Sequence, residues 1–155
     1  MTDKGELLVK SALSWLGTPY HSGARIKHVG VDCGQLLIAV YEEAGLLSPG
    51  QCDPGYYSPE WHLHRSEEKY LHWVEKFCRR AEPPYRPGDI ALFQFGRCIS
   101  HGALVVKWPL LIHAYIDEGV IQSCIDEALL CRRNGKSRLK GVYRWAEFSA
   151  DIRRI

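Results

Sequence analysis

The sequence has almost no net charge and no long apolar run. Twenty lysines and arginines stand against eighteen aspartates and glutamates, a balance of +2. So small a balance creates no field able to gather phosphates, which excludes nucleic acid as an expected partner. No apolar stretch approaches the roughly 20 residues that cross a bilayer, so no membrane span is expected. The N-terminal MTDKGELLVKSALSW mixes acids with its apolar residues and lacks a continuous hydrophobic region, so it does not read as a signal peptide. Taken alone, the chain is expected to be made and folded in a cytoplasm, with its six cysteines reduced. No two of those cysteines form a CxxC pair, and only His62 and His64 lie close together, so no structural zinc site and no cofactor are expected.

What is present fits an ordinary globular protein: 46% apolar and 25% charged residues over 155 positions, expected to form a single domain, 1–155. Residues 5–16 place Leu8, Ala12, Trp15 and Leu16 at helical spacing, with Gly17 as a left-handed stop. The following GTPYHSGARIKHVG has no period and reads as a loop. A second helix is expected from Cys33 to Ala44, ending at Gly45. A third, 59–80, follows the cap-like Ser58, Pro59 and Glu60 and carries Trp61, Tyr70, Trp73, Val74 and Phe77 before the breaker EPPYRPG. Beyond the breaker the period changes to short apolar runs at 89–95, 100–107, 110–117, 119–126 and 141–145. Turns as short as KWP and DEG make these strands mostly antiparallel, and helices followed by strands predict an α+β fold with the helices on one side of the sheet.

Cys33 stands at the start of the second helix, between Asp32 and Gly34. Unpaired amides and the macrodipole at a helix N-terminus favour thiolate over thiol, so Cys33 is expected to be alkylated well below pH 8. A nucleophilic thiol also needs a base, and the base needs a group to orient it. If KWP forms the turn so that Val106 faces Leu110, His101 faces Tyr115 and His113 becomes its diagonal neighbour on the same face. A one-residue change in that turn would put the two histidines on opposite faces. Each of these residues alone reads more simply as packing, and the tryptophans read as core; it is the combination that points to nucleophilic catalysis.

Four segments in order, GTPYHSGARIKHVGVDCGQLL, RPGDIALFQF, ISHGALVV and LIHAY, resemble the NlpC family of papain-like cysteine peptidases. The family pattern is a G-x-PY loop, a DCSGL helix start, a PGD strand and an H-V-G strand. The later GVIQSCIDEALLCRR and KGVYRW resemble the ends of the subgroup carried by tailed phages and prophages. The resemblance implies a papain-like NlpC-type fold, with N-terminal helices packed on a mainly antiparallel sheet. It implies Cys33 as nucleophile, His101 as base and His113 as its orienter, with Tyr20, Asp32 and Ser100 contacting substrate. The implied reaction is hydrolysis of an amide in a peptidoglycan stem peptide, between D-γ-glutamate and a diamino acid. The implied setting is a phage tail tip, where the protein would contact tail-tip or hub proteins and act in the cell wall or periplasm after synthesis in the host cytoplasm. A structural tail-tip protein with little activity, and a papain-like amidase or acyltransferase on another substrate, are the competing readings. One departure stands out: DCGQL replaces DCSGL, which removes a hydroxyl beside the nucleophile and about 1 kcal/mol or more of possible substrate hydrogen bonding.

Overall fold

Two aspartates start the two N-terminal helices. A computed structural model describes residues 3–55, 57 and 68–148. In it Asp3 accepts from the Gly5 amide at the head of α1 (Lys4–Ser14), and Asp32 accepts from the Gln35 amide at the head of α2 (Cys33–Glu43). Each cap satisfies a backbone donor that the helix itself leaves unpaired. The expected left-handed stops are realised, Gly17 at φ 86° and Gly45 at φ 80°. Between the helices lies a two-residue ribbon, β1 (Arg25–Ile26) against β2 (Gly30–Val31), inside the segment expected to be loop.

The third helix ends before the expected residue 80. Its first part, 59–67, lies outside the described residues, as do Ser58 and Trp61. What is described is α3 (Lys69–Phe77). Residues 78–80, expected to be helical, instead form β3 (Cys78–Arg80), which pairs with β8 (Leu139–Trp145). The backbone of 78–80 exchanges its helical bonds for a ladder on the sheet edge, and the buried Cys78 side chain is packed there. Helix propensity gives way to tertiary pairing.

The remaining strands, β4 (Ile90–Phe95), β5 (Cys98–Lys107), β6 (Leu110–Tyr115) and β7 (Gly119–Cys124), fall where alternation placed them. The six-stranded sheet runs β3-β8-β4-β5-β6-β7, with every pair antiparallel. One face, through Ile90, Leu92, Leu104, Ile112 and Ala114, packs on Leu8, Ala12, Leu36 and Val40 of the helices. The alternate residues Ala91, Phe93, Ala103, Val105, Leu111 and Val142 form a second apolar layer with Leu130. The fold is α+β with its helices on one side of the sheet, as expected.

Beneath the sheet, the aspartate of the RPGD segment meets Arg144 of β8 in a buried, two-pronged ion pair. Arg144 Nε donates to Asp89 Oδ1 at 2.9 Å and Nη2 to Oδ2 at 2.8 Å, while the Arg86 amide also donates to Oδ2. Removing one member leaves the other charge buried and uncompensated. Arg144→Met should therefore lower the unfolding free energy by about 3–5 kcal/mol in urea titration. Adding Asp89→Asn should recover part of that loss, and a single variant as stable as the parent would contradict the ion pair's role.

Candidate active site

Helix α2 brings Cys33 against the middle of the sheet. Cys33 is 9% exposed, and its thiol donates to the Ser100 carbonyl at 3.6 Å. The Gly102 amide also approaches the sulfur, as does the Gly34 amide of its own helix. Ser100 and Gly102 are the two chain neighbours of His101, so the sulfur is bracketed by the backbone that carries the imidazole. Glycine at 102 leaves room here for two neighbouring side chains: a Cβ would lie 2.6 Å from the Tyr70 hydroxyl and 2.9 Å from Leu37 Cδ1.

The two histidines meet as the strand register predicts. His101 Nε2 lies 2.7 Å from His113 Nδ1. The β5/β6 ladder pairs Leu104 with Ile112 and Val105 with Leu111, the alignment expected from the KWP turn. The turn itself differs: Lys107, not Val106, pairs with Leu110, and a bulge absorbs the extra residue. Had the shift spread along the ladder, one histidine would have changed faces. Phe93, Phe95 and Tyr115 surround the His101 ring at centroid distances of 5.9, 5.6 and 5.7 Å. Behind the pair, His113 Nε2 lies 2.8 Å from Ser123 Oγ on β7.

Tyr20, Asp32, Cys33 and Ser100 line one cleft of about 220 Å³, together with Tyr57 and Tyr70. His101 and His113 lie in the sheet and are not among its lining residues. The Asp32 carboxylate is held internally: it accepts from the Gln35 amide at 2.8 Å, the Gly23 amide at 2.7 Å and the Tyr57 hydroxyl. It thus fastens the loop before α2, and the one at Tyr57, to the helix start. Ser100 presents its carbonyl to the thiol, while its hydroxyl donates to the Phe95 carbonyl at 3.2 Å. Among the described residues, no group of three or more His, Cys, Asp or Glu could hold a metal ion.

Electrostatics reverse one expectation. Burial, and then the Asp32 charge, push the Cys33 thiol up to about 12, against smaller opposing contributions from Tyr70 and the Gly102 and Gly34 amides. The helix N-terminus does not deliver an acidic thiol here, because burial strips the sulfur of water and Asp32 brings a negative charge beside it. Burial likewise holds His101 well below its ordinary range and His113 at about 4. Sulfur and imidazoles are all neutral at rest.

Sequence reasoning missed Tyr57, Tyr70 and Ser123. Ser123 was within reach: the DEG turn pairs Tyr115 with Gly119 and His113 with Ile121, which makes Ser123 a diagonal neighbour of His113. Tyr57 gave no signal, because it lies in an aperiodic loop whose path no local pattern encodes.

No family model matches the chain, and no curated protein matches it. Solved structures do. NlpC1 from Trichomonas vaginalis is 16% identical with a TM-score of 0.64, covering 94% of this chain and 45% of that one. The peptidoglycan hydrolase RipB from Mycobacterium tuberculosis is 18% identical with a TM-score of 0.55, covering 90% and 63%. RipD from the same organism, described as a non-catalytic NlpC/p60 domain protein adapted to peptidoglycan binding, is 17% identical with a TM-score of 0.56, covering 92% and 97%. The chain thus spans less than two thirds of the first two proteins. It has the papain-like fold of the NlpC/P60 structures.

Two outcomes follow. Iodoacetamide labelling of Cys33, followed by mass spectrometry of its peptide, should keep accelerating as pH rises past 9; a plateau below pH 8 would restore the acidic thiol. The second outcome concerns stability. The unfolded chain binds a proton at His113 near pH 6.5, whereas the folded chain binds it only near 4, so stability is complete above the first value and is lost as pH falls toward the second. That single histidine is worth on the order of 3 kcal/mol between pH 7 and pH 4. Urea midpoints should fall over this range and fall less steeply in His113→Asn; equal slopes would contradict a buried neutral His113.

Proposed function

We propose that the chain is a cysteine endopeptidase that hydrolyses an amide bond in peptidoglycan stem peptides. The observation that carries this reading is the thiol held against the backbone at residues 100 and 102, the chain neighbours of His101, whose Nε2 lies 2.7 Å from His113 Nδ1. The similarity of fold to a peptidoglycan hydrolase supports the substrate class.

His101 Nδ1 is the ring nitrogen left to take the thiol proton when Nε2 is held by His113. Because both partners are neutral at rest, proton transfer accompanies attack: the sulfur bonds to the carbonyl carbon as His101 becomes imidazolium. The Cys33 amide donates to the oxyanion. Collapse of the tetrahedral intermediate breaks the C–N bond, and His101 returns its proton to the leaving amine. Water then loses a proton to His101, attacks the thioester and frees a carboxylate and the thiol. Tyr20, Asp32 and Ser100 stand at the cleft to position the stem peptide. Asp32 acts chiefly by bracing the loops around it, since internal donors already fill most of its capacity.

The bond we assign is that between D-γ-glutamate and a diamino acid, with delivery by a phage tail tip in contact with hub proteins. Both rest on the resemblance of the motifs and of the segments after residue 118. No helix of the described residues is long and apolar enough to cross a membrane. A second reading, a wall-binding protein without catalysis, is favoured by the buried, protonated thiol and by the non-catalytic RipD.

Purified stem peptides incubated with the protein should yield new glutamate and diamino-acid ends by mass spectrometry. Cys33→Ala should remove the activity, and His101→Ala should lower it by roughly 10²–10⁴-fold. No fragments from any wall type, with the protein still sedimenting with insoluble peptidoglycan, would favour the binding reading.

A further inference from the structure

We propose that Ser123 is a positioning residue that selects the tautomer of His113 and thereby leaves the lone pair on His101 Nδ1 free. Nothing in the family resemblance assigns Ser123 a role. Three groups form a line: His101 Nε2 to His113 Nδ1 at 2.7 Å, and His113 Nε2 to Ser123 Oγ at 2.8 Å. His113 is fully buried and Ser123 is 1% exposed, so neither exchanges these contacts for water. A hydroxyl this buried needs a polar partner, and His113 is the partner it has.

Each contact holds one proton, and two neutral imidazoles supply two ring N–H groups. Only two arrangements satisfy both contacts. In the first, His101 carries its proton on Nε2 and donates to His113 Nδ1, while His113 carries its proton on Nε2 and donates to Ser123. His101 Nδ1 is then a base. In the second, Ser123 donates to His113 Nε2, His113 donates from Nδ1 to His101 Nε2, and His101 Nδ1 bears a proton and cannot accept another. The state of the thiol's base is thus set two groups away.

Glu127 tips the balance toward the first arrangement. Its carboxylate accepts from the Cys124 amide at 2.9 Å, on the β7 side of His113, and its charge favours positive character on that ring. A negative charge there favours an N–H directed toward β7, which is the Nε2–H donated to Ser123. When His101 is protonated during the reaction the same arrangement still serves, because His113 Nδ1 continues to accept.

The test has two arms. Long-range ¹H–¹⁵N spectra of ring-labelled protein at pH 7 should show His113 as the Nε2–H tautomer. In Ser123→Ala, and in the nearly isosteric Ser123→Cys, whose sulfur is a weak acceptor, the Nδ1–H form should appear. Ser123→Thr should restore the parent pattern. The second arm rests on the hydrolase reading: kcat should fall by roughly ten- to a hundredfold in the Ala and Cys variants and recover in Thr, the shift an unsatisfied buried donor imposes. A parent His113 in the Nδ1–H form, or one unmoved by Ser123→Cys, would overturn the proposal. If the parent hydrolyses nothing, the hydrolase reading fails while the spectra still decide the role of Ser123.

Discussion

Seating the first turn of α2 against residues 100–102 of β5 is the contact on which the rest of the site depends. A side chain at 102 would displace the Tyr70 and Leu37 side chains packed there, and glycine avoids it. The sulfur then rests between a carbonyl and an amide of the strand. The same closeness excludes water, and exclusion of water governs the chemistry. A helix N-terminus is worth about 0.3–1 kcal/mol to a nearby anion. A rise in the thiol to about 12 exceeds that contribution several times over. Position at a helix start does not by itself make a cysteine acidic; burial and the charge beside the sulfur decide the outcome.

Asp32 shows the consequence for the loops. As the N-cap it must accept from Gln35, and its second oxygen gathers Gly23 and Tyr57. One carboxylate therefore holds together the helix, the loop before it and a residue that follows a long aperiodic stretch. This arrangement shapes the cleft mouth, and it also keeps a negative charge beside the thiol. Burial and that charge together keep the thiol protonated at rest. The resting protein is then protected against adventitious oxidation or alkylation, which requires thiolate.

How much of this was legible in the sequence follows from the range of the forces involved. Caps, left-handed glycines and alternation are local, and α1, α2 and the strands from β4 onward stand where they were expected. The α+β arrangement followed from their order. The facing of His101 and His113 was legible through the register of a hairpin with a short turn. What was not legible is set by tertiary contact. Residues 78–80 leave the helix because β8 offers an edge, and no local pattern announces that edge. Tyr57 reaches Asp32 through a loop without a period. The acidity of Cys33 was misjudged because exposure, which decides it, is a property of the packed chain.

The histidine relay is the part of the site most directly written in chain spacing. His101 and His113 are 12 residues apart and His113 and Ser123 are 10 apart, and two consecutive hairpins turn those separations into adjacent side chains. A meander places diagonal neighbours on one face only while each turn preserves the alternation. The first hairpin contains a residue too many for a simple turn, and the bulge between Val105 and Lys107 confines the excess to the end away from His101. The second, Tyr115 to Gly119, closes without a bulge, with Asp117 and Gly119 both at positive φ. Gly119 is held tightly there, since a Cβ would lie 2.6 Å from the Thr18 carbonyl. The loop that leads to Tyr20 and the turn that aligns Ser123 with His113 are thus fastened to each other. Two backbone bonds make the join, from the Val120 amide to the Thr18 carbonyl at 2.9 Å and from the Gly17 amide to the Val120 carbonyl at 3.0 Å, so the loop before the cleft and the start of β7 are held as one.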